Sequence, residues 1–285
     1  MNILEDLKLQ YKMGGIVQRL IFWNVGLFIL SFVFFSFEIR KFLYPDWLAL
    51  YSSSSHFVTK PWTLFTYMFL HDGFLHLLFN MLVLHFSGRL FLTYFTGRQL
   101  LGLYVLGGIF AGFVFIVSYY FLGMNSALVG ASGAIMAILI ATATYAPYML
   151  LRIPLIGTVK LWQVTFVIVL LDLIQLPLNN TGGHVAHLGG ALFGFIYVKL
   201  LQNGTDLSKG ISKLQDGIEN LFSPKKKTPF KKVHKNTYQK TTFTKTTQEK
   251  DINQKKIDDI LDKISKSGYD SLSKEEKEFL FKVGK

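Results

Sequence analysis

Asn125-Ser126-Ala127-Leu128-Val129-Gly130-Ala131-Ser132-Gly133 runs directly into the apolar segment Ala134 to Leu150. Small and polar residues around a glycine read as the end of a loop, and the unbroken apolar run after them reads as a helix. Ser132 then falls on the first residue of a buried helix. Backbone N–H groups that the helix cannot pair lie beside it, at the positive end of the dipole. A hydroxyl in that position is a candidate nucleophile, and the neighbouring N–H groups are where a tetrahedral oxyanion can be held.

Crossing a bilayer takes about 20 mainly apolar residues, and six such runs are present: 16–37, 74–95, 100–122, 132–150, 158–178 and 184–202. The chain is 51% hydrophobic and 15% aromatic but only 17% charged, with mean hydropathy +0.35. That balance belongs to a membrane protein rather than a water-soluble domain. The predicted fold is all-α, a polytopic bundle of six transmembrane helices with a small helical cytosolic tail. The absence of cysteine excludes disulfides and thiolate chemistry. Glu5, Asp6, Lys8, Lys12 and Arg19 precede a first apolar run longer than a signal-peptide core, so that run is expected to stay as an anchor.

Arg89 and Arg98, Arg152 and Lys160, and the basic sequence from Lys199 onward mark the cytoplasmic ends of the spans, together with the N-terminus. The loop 38–70 and the segments 123–129 and 176–183 fall on the outer side, although Arg40, Lys41 and Lys60 in the first of these run against the charge rule. Spans two, four and six then all run inward, and their early residues share a depth. Those residues are His71, His76 and Asn80, then Ser132, then His184 and His187. Polar groups at membrane depth are costly and mark functional sites. Gly133, Ala137 and Ala141 in span four, and Gly190 and Gly194 in span six, recur every four residues. Such spacing lets two helix backbones approach closely.

A neutral imidazole can take the serine proton and return it to a leaving amine. His184 and His187 both qualify, and as a pair one turn apart they also permit a metal site. A metal is disfavoured because Asp72 and Asp172 read as isolated, leaving no carboxylate cluster at this depth. His76 and Asn80, four apart on one helix face, suit oxyanion donors, or else a hydrogen bond tying helices together.

The set His71-x4-His76-x3-Asn80, Gly130-Ala131-Ser132-Gly133 and Ala186-His187-x-x-Gly190 resembles the rhomboid family of intramembrane serine proteases, bacterial type, over about Met13 to Leu201. The resemblance implies that Ser132 is the nucleophile and His187, rather than His184, its base, in a dyad with no acidic third member. It also implies an oxyanion hole from His76, Asn80 and the Ser132 N–H, with Gly130 and Ala131 lining the same place and His71 and His184 supporting. It implies no cofactor, and membrane-anchored, especially single-span, protein substrates within the lipid bilayer. No metal is expected, and the basic tail, which could touch anionic lipid or nucleic acid, reads as a solvated cytosolic segment with no nucleic-acid partner. The chain departs from the family at Pro61-Trp62-Thr63, where a Trp-Arg pair is usual. The competing class is a noncatalytic member that binds membrane clients; a small transporter is disfavoured because no inverted repeat is evident.

The expected organisation is a cytosolic segment at 1–15, the membrane domain at 16–202, a basic linker at 203–250 with an amphipathic piece at 207–221, and a helical segment at 251–285. Lys225, Lys226, Lys227, Lys231, Lys232 and Lys235 crowd the linker. Ile257, Ile260, Leu261 and Ile264, with Ile252 before them, have helical spacing, and Ser273 with Glu276 reads as a capping box after Gly268. Asn179 to Gly183 is expected to act as a lid. The predicted location is a bacterial inner membrane with both termini cytoplasmic.

Overall fold

The computed structural model describes residues 2–178, 180–222 and 246–283. In chain order, helices α1 (Ile3–Met13) and α2 (Ile16–Leu30) lead through a 3₁₀ turn to the strand pair β1 (Phe35–Ser36) and β2 (Lys41–Phe42). Strand β3 (Leu50–Tyr51) and the short helices α3 (Ser54–Thr59) and α4 (Thr63–Thr66) complete the connection that follows α2. Next come α5 (Phe74–Phe91), α6 (Gly97–Leu122), β4 (Ala127–Leu128) and α7 (Ser132–Tyr145). The hairpin β5 (Leu150–Ile153) and β6 (Gly157–Lys160) then leads to α8 (Leu161–Gln175), α9 (Thr181–Gln202) and α10 (Ser208–Phe222). A second unit carries α11 (Thr246–Ser267) and α12 (Lys274–Val283).

Each of the six apolar runs has become a helix, and the protein is an integral membrane helix bundle. Four segments, Ile16–Phe34, Phe74–Phe91, Gly97–Leu122 and Thr181–Gln202, are long and apolar enough to cross a bilayer. Helices α7 and α8, with 14 and 15 residues, reach only about 21–23 Å at 1.5 Å per residue. Proline explains the shortening. Pro147 disfavours a helical conformation at Ala146 and cannot continue the helix, so the rest of the run 132–150 leaves the helix and Leu150 begins β5. The run 158–178 loses its first residues to β6, and α8 stops two residues before Pro177.

Helix α7 is buried on almost every side, as a helix with no polar face must be when others enclose it. Its tightest neighbour is α9: a side chain at Gly190 would run into the Gly133 carbonyl, and one at Gly194 into the Ala137 carbonyl. Helices α5 and α8 instead turn large apolar residues outward, among them Leu75, Phe79 and Leu82 on one and Phe166, Leu170 and Ile174 on the other. In a membrane chain those faces meet lipid.

The segment between α2 and α5 is tied into the bundle by hydrogen bonds and strand pairing. The Tyr67 hydroxyl donates to the Gly108 carbonyl at 2.7 Å, and β3 pairs antiparallel with β4. Trp62 Nε1 donates to the Trp47 carbonyl at 3.0 Å. Thr63, where the resemblance would put arginine, is fully buried and donates to the Lys60 carbonyl at 2.7 Å. Lys60 pairs with Asp46 at 2.5 Å, which neutralises one of the three charges that ran against an outer location. The hydrogen bond from Lys60 holds the Asp46 carboxyl below its ordinary range.

Helix α10 docks on the start of α6. Asp206 accepts from the Ser208 hydroxyl at 2.6 Å and from Gln99 Nε2 at 3.2 Å, and Arg98 pairs with Asp216 at 2.8 Å. In the second unit the expected capping box is present: the Ser273 N–H donates to Glu276 Oε2 at 2.7 Å, and the Glu276 N–H to Ser273 Oγ at 3.2 Å. Gly268 turns the chain at φ +75°, and Ile260 is buried within that unit. The Lys-rich stretch 223–245, the Ile252 side chain and Asn179 lie outside the described residues. The rest of the expected lid is regular structure: Thr181–Gly183 open α9, and Asn180 caps it by accepting from the Gly183 N–H.

Candidate functional site

The loop before α7 delivers Ser132 under tight backbone control. The Ser52 N–H donates to the Ser126 carbonyl at 3.0 Å, and the Ser126 N–H to Ser52 Oγ at 3.0 Å. Further on, the Gly130 N–H donates to the Tyr67 carbonyl at 3.0 Å. Gly130 has φ +129°, a conformation that side-chain-bearing residues avoid. Ala131 is fully buried and caps α7 without any side-chain hydrogen bond. The N–H groups of the first turn, beginning with that of Ser132, therefore have no capping side chain and point past the serine.

His76 stands across Gly130 from the serine. The Asp72 N–H donates to His76 Nδ1 at 3.2 Å, so the neutral ring carries its proton on Nε2. That Nε2 lies 3.0 Å from the point where a side chain at Gly130 would begin, and Ser132 Oγ lies 3.7 Å from the same point. A ring N–H donor and a hydroxyl thus flank one glycine. Asn80 is buried and donates from Nδ2 to the His76 carbonyl at 2.8 Å, bracing the turn that carries His76. His71 is completely buried behind it, with ring centroids 5.3 Å apart in an edge contact. Its carbonyl accepts from the Tyr44 hydroxyl at 2.7 Å, which anchors the start of α5 to the outer loop.

On α9, His184 and His187 stand edge to face with ring centroids 5.9 Å apart, and both reach α8. Asp172 Oδ1 accepts from His184 Nδ1 at 2.7 Å and from His187 Nδ1 at 2.9 Å. The expectation that Asp172 is isolated is therefore wrong, and with it the statement that no carboxylate shares this depth. The ligand-type atoms of Asp172, His184 and His187 lie within 4.8 Å of one another, so a metal site is no longer excluded on that ground. Within α8, Leu161, Thr165 and Asp172 are the buried residues and fall on one side of the helix, a rotation that the hydropathy of the run does not give. An ionised carboxylate only accepts, so each bonded Nδ1 carries a proton and each Nε2 is left as the basic nitrogen.

The hydrogen bonds of His187 run to Asp172 rather than to Ser132. Helix packing nevertheless brings the two turns alongside each other, because the Ala186 carbonyl lies 3.3 Å from where a side chain at Gly133 would begin. Catalytic hydrogen bonds in unliganded sites are often long and tighten once substrate binds.

A family model described as the rhomboid domain matches residues 58–203, just over half of the chain. A second, described as a family of unknown function, matches residues 241–283. Among curated proteins, the chain is similar to presenilin-associated rhomboid-like protein A, mitochondrial, of Danio rerio, with 35% identity over 133 residues. The proteins named presenilin-associated rhomboid-like protein, mitochondrial, of Homo sapiens and Mus musculus match at 32% identity over 133 residues. The aligned part is 46% of this chain and 35% of each relative, so the chain spans about a third of the length of the curated relatives it matches.

Proposed function

The chain belongs to the rhomboid family, and from that premise we propose that it is an intramembrane serine endopeptidase. Ser132 attacks the scissile carbonyl while His187 Nε2 takes its proton, and an acyl-enzyme forms and is then hydrolysed. The developing oxyanion is held by His76 Nε2–H and the uncapped Ser132 N–H, with Asn80 bracing His76 and Gly130 and Ala131 shaping the floor. His71 and His184 act as supporting residues. Substrates are single-span or otherwise membrane-anchored proteins that reach the site within the bilayer. The charge distribution along the chain favours an orientation with both termini on the cytoplasmic side, and the membrane we propose is a bacterial plasma membrane.

The observation that carries this reading is the pair of groups around Gly130, a ring donor and a hydroxyl beside an uncapped helix start. The test is cleavage of a single-span substrate in proteoliposomes by the wild type and by Ser132→Ala, with a serine-reactive probe mapped by mass spectrometry. Wild type should cleave and label at Ser132, and the variant should lose at least about 10³-fold in rate. Identical fragments from both proteins would refute the assignment. A wild type that holds the substrate without cutting it would support the client-binding alternative.

A further inference from the structure

A carboxylate on a helix that otherwise faces lipid is expensive unless it is paired. Helix α8 carries one acidic residue, and it is turned away from the lipid-facing side. Both hydrogen bonds of Asp172 use the same oxygen, and both go to imidazoles of α9. The other oxygen is buried without a partner among the described residues, so among them the group ties no other element of the bundle. A residue present only to fasten α8 to α9 would not need two histidines on one atom.

Resting on the protease assignment above, we propose that Asp172 is the positioning residue for the His187 base, making an acid-assisted triad with Ser132 in which His184 shares the same carboxylate oxygen. Asp172 holds the proton of His187 on Nδ1, leaving Nε2 free. As Ser132 Oγ bonds to the substrate carbonyl carbon, its proton passes to Nε2 and the carbonyl π electrons move to the oxygen. When the C–N bond breaks, that proton leaves with the amine. Asp172 stays ionised throughout and stabilises the imidazolium. His184, donating to the same oxygen, weakens that stabilisation. The titratable groups facing His187 are Asp172 from α8, His184 from its own helix and His76 from α5. The α7 segment packed there holds no acidic or basic residue, and Lys160 of β6 lies at the opposite end of α8.

The test compares the full-length wild type with Asp172→Asn, Asp172→Glu and His184→Gln in proteoliposomes, reading kcat, KM and the pH profile. Asp172→Asn should lower kcat by about 100-fold or more, since a wrong imidazole tautomer costs up to roughly 10⁴. KM should stay within about twofold. The acidic limb of kcat/KM should move to lower pH, because the imidazolium loses its counter-charge, and Asp172→Glu should recover part of the loss. His184→Gln should move the same limb to higher pH, which decides the matter if Asp172→Asn does not fold. Nitrogen-15 spectra of labelled histidine, read independently of cleavage, should show a protonated Nδ1 on His187 in wild type and not in Asp172→Asn. If wild type cleaves nothing, the protease assignment fails while the spectra still test the Asp172 contact. Wild-type kcat and an unmoved limb in Asp172→Asn, or an unprotonated Nδ1 in wild type, would overturn the proposal. So would one zinc per chain bound by Ser132→Ala and lost with Asp172→Asn, which would make the cluster a metal site.

Discussion

Helix α9 meets α7 and α8 in opposite ways. Against α7 the contact is backbone on backbone, with Gly190 and Gly194 laid on the carbonyls of Gly133 and Ala137. Against α8 the polar contact is made by side chains, with one aspartate reaching two histidines from a helix that otherwise faces outward. Carbonyls in a helix cannot step aside, so the first contact fixes how far the Ser132 turn lies from the His187 turn. Side chains can swing, so the second contact orients the ring of the proposed base, on a turn whose place the first contact already sets. Damage at α7–α9 should therefore appear first as lost folding, and damage at Asp172 as lost rate. The largest effect expected is from Gly190→Ala, whose methyl must displace the Gly133 carbonyl. Overpacking costs about 1–3 kcal/mol where side chains can yield and more where backbone must move, so roughly 3 kcal/mol or more is expected. Thermal melting in detergent reads it, and a wild-type melting curve would show that this contact does not hold the helices.

Gly133→Ala sharpens the comparison from the same interface. Its methyl would begin 2.7 Å from the Ala111 Cβ and 3.3 Å from the Ala186 carbonyl, and an alanine Cβ moves only with its backbone, so the expected loss is about 2–3 kcal/mol. Because the displaced turn adjoins Ser132, kcat of the folded protein should fall as well, by about 10-fold or more. Loss of stability with unchanged kcat would mean that Ser132 is positioned by its loop alone.

The α7–α9 contact was legible in the sequence because small residues at a four-residue spacing have one structural use in lipid. The placement of Ser132 and His76 on either side of Gly130 could be read for a similar reason, each being tied to a local pattern of glycine, helix start and helix face. Asp172 was not legible. A single carboxylate in an apolar run carries no motif, and whether it meets α9 depends on the rotation of α8, which hydropathy does not fix. The pairing of β3 with β4 was hidden too, since each strand has two residues and the partners lie far apart in the chain. Hydropathy also overran α7, because Met149, Leu150 and Leu151 are apolar in a hairpin as well as in a helix, and Pro147 was the informative residue.

The smallest effect belongs to the outer side of α8. Leu170 and Ile174 are 40% and 54% exposed, and in a bilayer they exchange one hydrocarbon neighbour for another. Leu170→Ala and Ile174→Ala should each change stability by no more than about 0.5 kcal/mol, and kcat should stay within about twofold because neither residue touches the Asp172 face. Melting in detergent and turnover in proteoliposomes measure both. A loss above about 2 kcal/mol would mean that this face is covered by protein rather than lipid, and a lost rate with intact stability would mean that α8 must keep one rotation for Asp172 to reach His187. In the second case the two contacts of α9 would no longer divide cleanly into one that folds the bundle and one that tunes the base.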